Sequence, residues 1–192
     1  MLTRPTLRTL PFDDAKAAVD RGAAFVDLRP VESYLEVHVP KSLALLYEFG
    51  PGMAARARDC LPLGLPLVLL DLGHGNPGHA ASSLKGKGFT VLGRVEDGIN
   101  RWAAVQDAAA PISTEVVARP QGRVLHVGDP GVFPGDDALT IPLELLWERA
   151  SELERGEPIV VASGYGVRAA LAVGILERFE YEVVIWDARA ER

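Results

Sequence analysis

A repeat constrains this chain more than any other feature of its sequence. Shifted by 92 residues, "PLVLLDLGHGNPGHAASSLKGKGFTV" (Pro66–Val91) aligns without a gap on the segment that begins at Pro158, "PIVVASGYGVRAALAVGILERFEYEV". Pro66 meets Pro158, Leu84 meets Leu176, Phe89 meets Tyr181 and Val91 meets Val183. Each copy reads as a buried strand, a Gly-rich loop, an amphipathic helix, an aromatic residue and a further strand. A single strand–loop–helix match carries little weight. A register held over the whole unit points to two copies of one fold.

Around these units, short apolar runs ending in Gly-, Asp- or Pro-rich turns alternate with segments of helical period, the pattern of an α/β sheet protein. Strands are expected at Ala24–Leu28, Leu43–Leu45, Leu67–Leu70 and Thr90–Leu92, with helices at Phe12–Arg21, Ser33–Val37, Gly52–Cys60, Ala80–Lys87 and Gly98–Gln106. In the second half the expected strands are Arg123–Val127, Ala138–Ile141, Pro158–Ala162 and Glu182–Trp186, and the helices Leu143–Leu153 and Val167–Phe179. "DAAAPIST" (Asp107–Thr114) is small, polar and proline-containing, and reads as a linker.

Composition removes several function classes. At 48% hydrophobic and 24% charged over 192 residues the chain has the make-up of a soluble globular protein. The longest apolar run, around Leu67–Leu70, is too short to span a bilayer, and Met1–Leu10 lacks an apolar core of signal-peptide length, so a cytoplasmic location is expected. One cysteine, Cys60, forbids an intrachain disulfide and a cysteine-based zinc site. Residues 1–112 hold 12 basic and 12 acidic side chains, whereas 113–192 hold 8 and 14, so the whole net charge of −6 lies in the second half. An acidic half without a basic stripe argues against nucleic acid as a partner.

Two motifs in the first half go further. "FVDLRPVESYLEVHVPKSLAL" (Phe25–Leu45) resembles the opening signature of rhodanese-like domains, a strand ending in Asp-x-Arg, a Pro/Glu turn, an aromatic-bearing helix and His-[IV]-Pro. Asp27, Arg29, Glu32, Tyr34, His38, Val39 and Pro40 fill those places. "GRVEDGINRW" (Gly93–Trp102) resembles the family's Gly-Gly-[IV]-x-x-Trp close, with Asp97 in place of the first glycine. In the second half "GRVLHVGDP" and "DALTIPLELL" (Asp137–Leu146) look like eroded forms, with His126 near the Asp position and Gly128 near the Arg. Pro158–Leu176 matches the family's active-site strand, loop and helix. The sequence ends at Arg192 ahead of any closing Gly-Gly-x-x-x-Trp helix, so the second domain is expected to be degenerate and truncated, its apolar surface covered by the first.

The resemblance implies a strand ending in cysteine, followed by backbone amides at a helix N-terminus and an arginine about five residues on. A thiolate attacks sulfane sulfur, and the oriented amides stabilise the negative persulfide. On this sequence the cysteine position falls on Asp71 and on Ser163, and the arginine position on Asn76 and on Arg168. Asp71 places a carboxylate where an anion would sit, and Pro77 removes an amide donor. Ser163 cannot carry a persulfide, and a phosphatase reading fails for want of the same thiol. The second loop, Ser163, Gly164, Tyr165, Gly166, Val167 and Arg168, keeps its glycines and arginine and is the candidate site for weak anion binding.

Other residues favour plainer readings. Cys60, at a helix end before a proline, reads as a buried structural thiol. Asp71, His74 and His79 match no metal-site spacing. Ser163 lies outside a Gly-x-Ser-x-Gly elbow and has no evident His/Asp partner. Asp27, Arg29 and His38 read as structural, and Trp102, Trp147 and Trp186 as core.

The resemblance thus implies an α/β fold of two tandem rhodanese-like domains, each a small mostly parallel sheet flanked by helices, covering residues 1–110 and 111–192. Function is expected to be that of a non-catalytic binding or regulatory module needing neither cofactor nor metal. Its partner would be a small anion or a protein, with no nucleic acid and no membrane, and its state a monomer or homodimer. The alternative is a thiosulfate- or mercaptopyruvate-type sulfurtransferase acting through Cys60 or a partner's cysteine.

Overall fold

The computed structural model describes residues 6–48, 52–164 and 166–189. In chain order the first half contains α1 (Phe12–Asp20), β1 (Ala24–Asp27), α2 (Val31–Glu36), β2 (Leu43–Ala44), α3 (Gly52–Cys60), β3 (Leu67–Asp71), α4 (Pro77–Gly86), β4 (Val91–Glu96) and α5 (Gly98–Ala103). The second half contains β5 (Glu115–Val117), β6 (Arg123–His126), β7 (Leu139–Thr140), α6 (Leu143–Arg149), a 3-10 turn (Ala150–Glu152), β8 (Ile159–Ser163), α7 (Val167–Arg178) and β9 (Val183–Asp187). Two parallel sheets result, ordered β2-β1-β3-β4 and β5-β9-β8-β6-β7.

The 92-residue offset reappears in the backbone. Leu67 N–H donates to Thr90 O and Ile159 N–H to Glu182 O, while Phe89 N–H donates to Leu84 O and Tyr181 N–H to Leu176 O. Gly88 and Glu180, one step before those aromatics, both have positive φ. Even β5 has a counterpart: Thr9 bridges Arg94 on β4 as Val116 pairs with Ile185 on β9. The strand β5 was missed in the sequence because it is short and at the sheet edge, its first two residues exposed, and it carries no buried alternation.

Alternating residues of the central strands divide between two faces. Leu67 and Leu69 of β3, like Ile159 and Val161 of β8, belong to one core that also takes in side chains of α2, α3, α4, α6 and α7. That core is continuous between the halves, so the helices between the sheets serve both. On the opposite faces, Val68 and Leu70 pack with Phe12 and Trp102 of α1 and α5, whereas Val160 and Ala162 pack with Val132 and Trp186. On the outer face of the second sheet the described residues of this cluster all come from the second half, with Val132 of the 127–138 segment packed on β8, where cover from the first half had been expected.

Helix α7 joins the halves. Its small face crosses β2 so closely that a Cβ on Gly174 would lie 2.2 Å from Ser42 O and 3.2 Å from Leu43 Cα. One turn on, Glu177 accepts the backbone N–H of Lys41 at 2.8 Å and lies 3.0 Å from Nε2 of the buried His38. His38 Nδ1 in turn donates to Tyr34 O at 2.8 Å. The segment read as a linker is pinned as well, since Ile112 and His38 exchange both backbone hydrogen bonds and Thr114 N–H donates to Leu35 O. Among the described residues no helix is long and apolar enough to cross a membrane.

Alanine is the better helix former by roughly 1 kcal/mol, so Gly174→Ala would stabilise an unobstructed helix. Here a methyl group would meet backbone. We expect it to destabilise by about 1–3 kcal/mol and to lower Tm by on the order of 3–10 °C, read by circular dichroism melting. An unchanged or raised Tm would mean that α7 does not press on β2.

Candidate functional site

Both strand-to-helix loops lie at the C-terminal ends of central parallel strands, where α/β sheets place their ligands. In the first, Asp71 ends β3 and its carboxylate is engaged on both sides. Oδ2 lies 3.1 Å from Arg94 Nη1 of β4, and Oδ1 accepts the N–H of Gly73 at 3.4 Å. Asn76 caps α4, accepting the backbone N–H of His79 at 3.0 Å. The His79 ring faces Tyr47, whose hydroxyl is 3.3 Å from Nδ1. His79 thus takes part in packing, and among the described residues no group of three or more His, Cys, Asp or Glu side chains could hold a metal ion.

In the second loop, Ser163 ends β8 and is buried, and its Oγ accepts the N–H of Gly166 at 3.3 Å. Gly164 N–H points not to solvent but to Asp129 Oδ2, at 3.1 Å. Asp129 comes from the turn after β6, which bends at Gly128 in the left-handed region (φ 79°). A side chain there would also meet Arg168 Nη2 at 3.3 Å. Asp129 thus carries its carboxylate to the first amide of the loop. Tyr165 lies outside the described residues.

Val167 and Arg168 open α7, and the Arg168 guanidinium is engaged by α6 and by Val127, just after β6. It grips Glu144 of α6 with both terminal nitrogens, Nη1 to Oε1 at 2.7 Å and Nη2 to Oε2 at 2.9 Å, and Nη2 also donates to Val127 O at 2.9 Å. The guanidinium hydrogen bonds hold the Glu144 carboxyl below the usual carboxylate range, and the same pair raises Arg168. Ser163, Gly164, Gly166, Val167 and Arg168 follow one another through the end of β8, the loop and the start of α7. The sequence reading missed Asp129 and Glu144, which approach from 34 and 24 residues upstream of Ser163 and Arg168 and carry no local signal.

Cys60 is buried as expected, 4% exposed, at the end of α3. Arg168 and Glu144 lie within electrostatic range of its sulfur. Burial pushes the thiol up to about 11, with Glu144 adding to the rise and Arg168 opposing it. Asp27, Arg29 and His38 are structural as read: Arg29 clasps the buried Asp27 carboxylate at 2.8–3.2 Å and donates to Val37 O at 2.6 Å. Trp102 and Trp186 are core, and Trp147 is partly buried against Phe179.

No protein-family model matches the chain. It is 31% identical over 98 residues to the thiosulfate sulfurtransferase GlpE of Pseudomonas savastanoi pv. phaseolicola, across 50% of this chain and 88% of that protein. Among solved structures it is similar to a thiosulfate sulfurtransferase from Pseudomonas aeruginosa, at a TM-score of 0.41 and 15% identity, over 94% of this chain and 43% of that one. It spans less than half the length of that protein. A second is the 3-mercaptopyruvate sulfotransferase SseA from Escherichia coli, at a TM-score of 0.39 and 17% identity, over 95% of this chain and 98% of that one.

The raised thiol fixes an expected reactivity. At pH 7.5 a thiol titrating near 11 is thiolate in only about one molecule in 3,000, roughly 300-fold less than an ordinary cysteine. Iodoacetamide should therefore modify Cys60 at least 100-fold more slowly than a cysteine peptide, speeding up about tenfold per pH unit up to the edge of unfolding. Mass-spectrometric timing of the adduct reads this, and alkylation at peptide-like rates near neutrality would show the thiol to be activated.

Proposed function

The chain belongs to the rhodanese-like sulfurtransferase family, and from that premise we propose that it is a non-catalytic member, a binding or regulatory protein of two tandem domains covering residues 1–110 and 111–192. The observation that carries this reading is the state of the second loop. Ser163 stands at the strand end where the chemistry needs a thiolate, and the Asp129 carboxylate already bonds the amide of Gly164. Sulfur transfer needs a nucleophile that can bear a sulfane sulfur and a local field that stabilises the resulting anion. A serine hydroxyl cannot do the first. The second is opposed by Asp129 and weakened because Glu144 holds Arg168. The first loop presents the same obstacle, with Asp71 at the equivalent place.

Anion affinity at Ser163, Gly164, Tyr165, Gly166, Val167 and Arg168 is accordingly weak, because an incoming anion has to displace a tethered carboxylate. GlpE is a thiosulfate sulfurtransferase by name. The likeness extends to the fold and family of this chain, and the loop residues argue against the activity. A second reading is favoured by one observation, the nearness of Cys60 to Arg168: the thiol would act as nucleophile from α3. Burial and the high titration point of that thiol both stand against it.

The test is a thiosulfate-to-cyanide sulfur-transfer assay on reduced protein beside Cys60→Ala, with anion binding measured in parallel. Wild type and variant should both give no thiocyanate above the blank. Asp129→Asn should bind thiosulfate at least tenfold more tightly than wild type in calorimetry, since one charge leaves the site while the hydrogen-bonding shape is kept. Turnover that disappears with Cys60 would establish the second reading, and turnover that survives would defeat both.

A further inference from the structure

The loop that delivers Asp129 has a second notable residue. Its segment 129–137 is fixed at the root by Asp129 and, three residues on, by Val132, which is buried against the outer face of the second sheet. Between these anchors and Pro134 stands Phe133, 86% exposed. Lone exposed aliphatic residues are ordinary. Phe133 differs in standing between the buried Val132 and Pro134, which lines an adjoining cleft. Beside it, a cleft of about 460 Å3 opens between the 134–139 segment and the 3-10 turn, with Val124, Pro134, Leu139 and Leu153 among its walls. Leu139, 49% exposed, lies on β7, the edge strand, which pairs with β6 alone.

The rim of this cleft is acidic. Asp137, Glu152 and Glu154 line it, and Asp136 adjoins it. Arg123 pairs with Glu154 and Arg149 with Glu152. Asp136 and Asp137 have no ion pair among the described residues, so the patch keeps two uncompensated negative charges. It lies in the half of the chain that holds the whole net charge of −6.

We propose that Phe133 and the adjoining cleft form a docking site for a protein segment that offers an apolar side chain flanked by lysine or arginine. The apolar walls supply the contact that excludes water, and the aspartates steer and orient a basic partner. The free edge of β7 is open to main-chain hydrogen bonds from an extended segment. A second copy of this chain fits less well, because a two-fold contact would bring Asp136 and Asp137 against their own equivalents. The site is separate from the second loop's amides, so it stands or falls independently of whether that loop binds an anion.

Two capped twelve-residue peptides test this, each with a central leucine pair, flanked in one by lysines and in the other by glutamates. Titrated into 15N-labelled full-length protein, the lysine peptide should shift the amides of Phe133, Leu139 and Leu153, and the glutamate peptide should not. Phe133→Ser and Asp137→Asn should each weaken the lysine peptide at least fivefold. Raising salt from about 50 to 300 mM should weaken it as well. Phe133→Ser should leave the melting temperature unchanged, because the ring is almost wholly in solvent. Absence of localised shifts, or equal binding of both peptides, overturns the proposal. So does Phe133-dependent self-association in sedimentation, which would assign the face to a second copy.

Discussion

The contact between α7 and β2 organises much of this molecule. Twelve residues of helix, "VRAALAVGILER", are almost all apolar or small, and Gly174 lets their axis come down onto the backbone of Ser42 and Leu43. Because α7 also follows β8, one helix fixes two things at once. Its N-terminus presents the second loop, while its C-terminal turn ties to the first half through Glu177, His38 and Lys41. A shift of α7 relative to β2 would therefore be felt at Arg168 as well as at the junction. Cores packed to crystal-like density transmit such shifts instead of absorbing them.

Much of the architecture was readable because it depends on local period. The repeat placed β3 and β8, α4 and α7, and β4 and β9 in register, and the strand-end assignments of Asp71 and Ser163 agree with their equivalent positions in the two sheets. What could not be read was tertiary. Gly128 looks like an eroded Asp-x-Arg strand end, yet in the fold its lack of a side chain leaves room for Arg168 Nη2. Nothing near Cys60 in sequence hints that α3 ends near Glu144 and Arg168, since both reach it from helices more than 80 residues away. Arg168 was legible as a retained cation. Its engagement with Glu144 was not, because a bidentate pair between helices leaves no periodic trace.

The two loops reach a similar electrostatic end by different routes. In the first, the carboxylate belongs to the strand itself, as Asp71, and Arg94 on the next strand balances it. In the second, the strand end is the neutral Ser163, and the carboxylate arrives from a separate turn, as Asp129. Oriented amides near a helix start favour a negative group. Each loop has a negative group of its own, one covalently fixed in the strand and one tethered through a glycine-bearing turn. Tethering matters because an intramolecular group competes at an effective concentration far above that of a small free ion.

On the non-catalytic reading proposed above, a thiol alone at position 163 would for the same reason not supply sulfur-transfer chemistry. A thiolate there would face Asp129, and the nearby cation, Arg168, is already neutralised by Glu144. Counting these three side chains, the local charge before ionisation is −1, so the field opposes a second negative charge where an active site must favour one. Two further changes are required, one removing the Asp129 carboxylate and one releasing Arg168 from Glu144. On the proposed non-catalytic reading, the residues around the loop weigh against sulfur transfer as much as the serine at its strand end does.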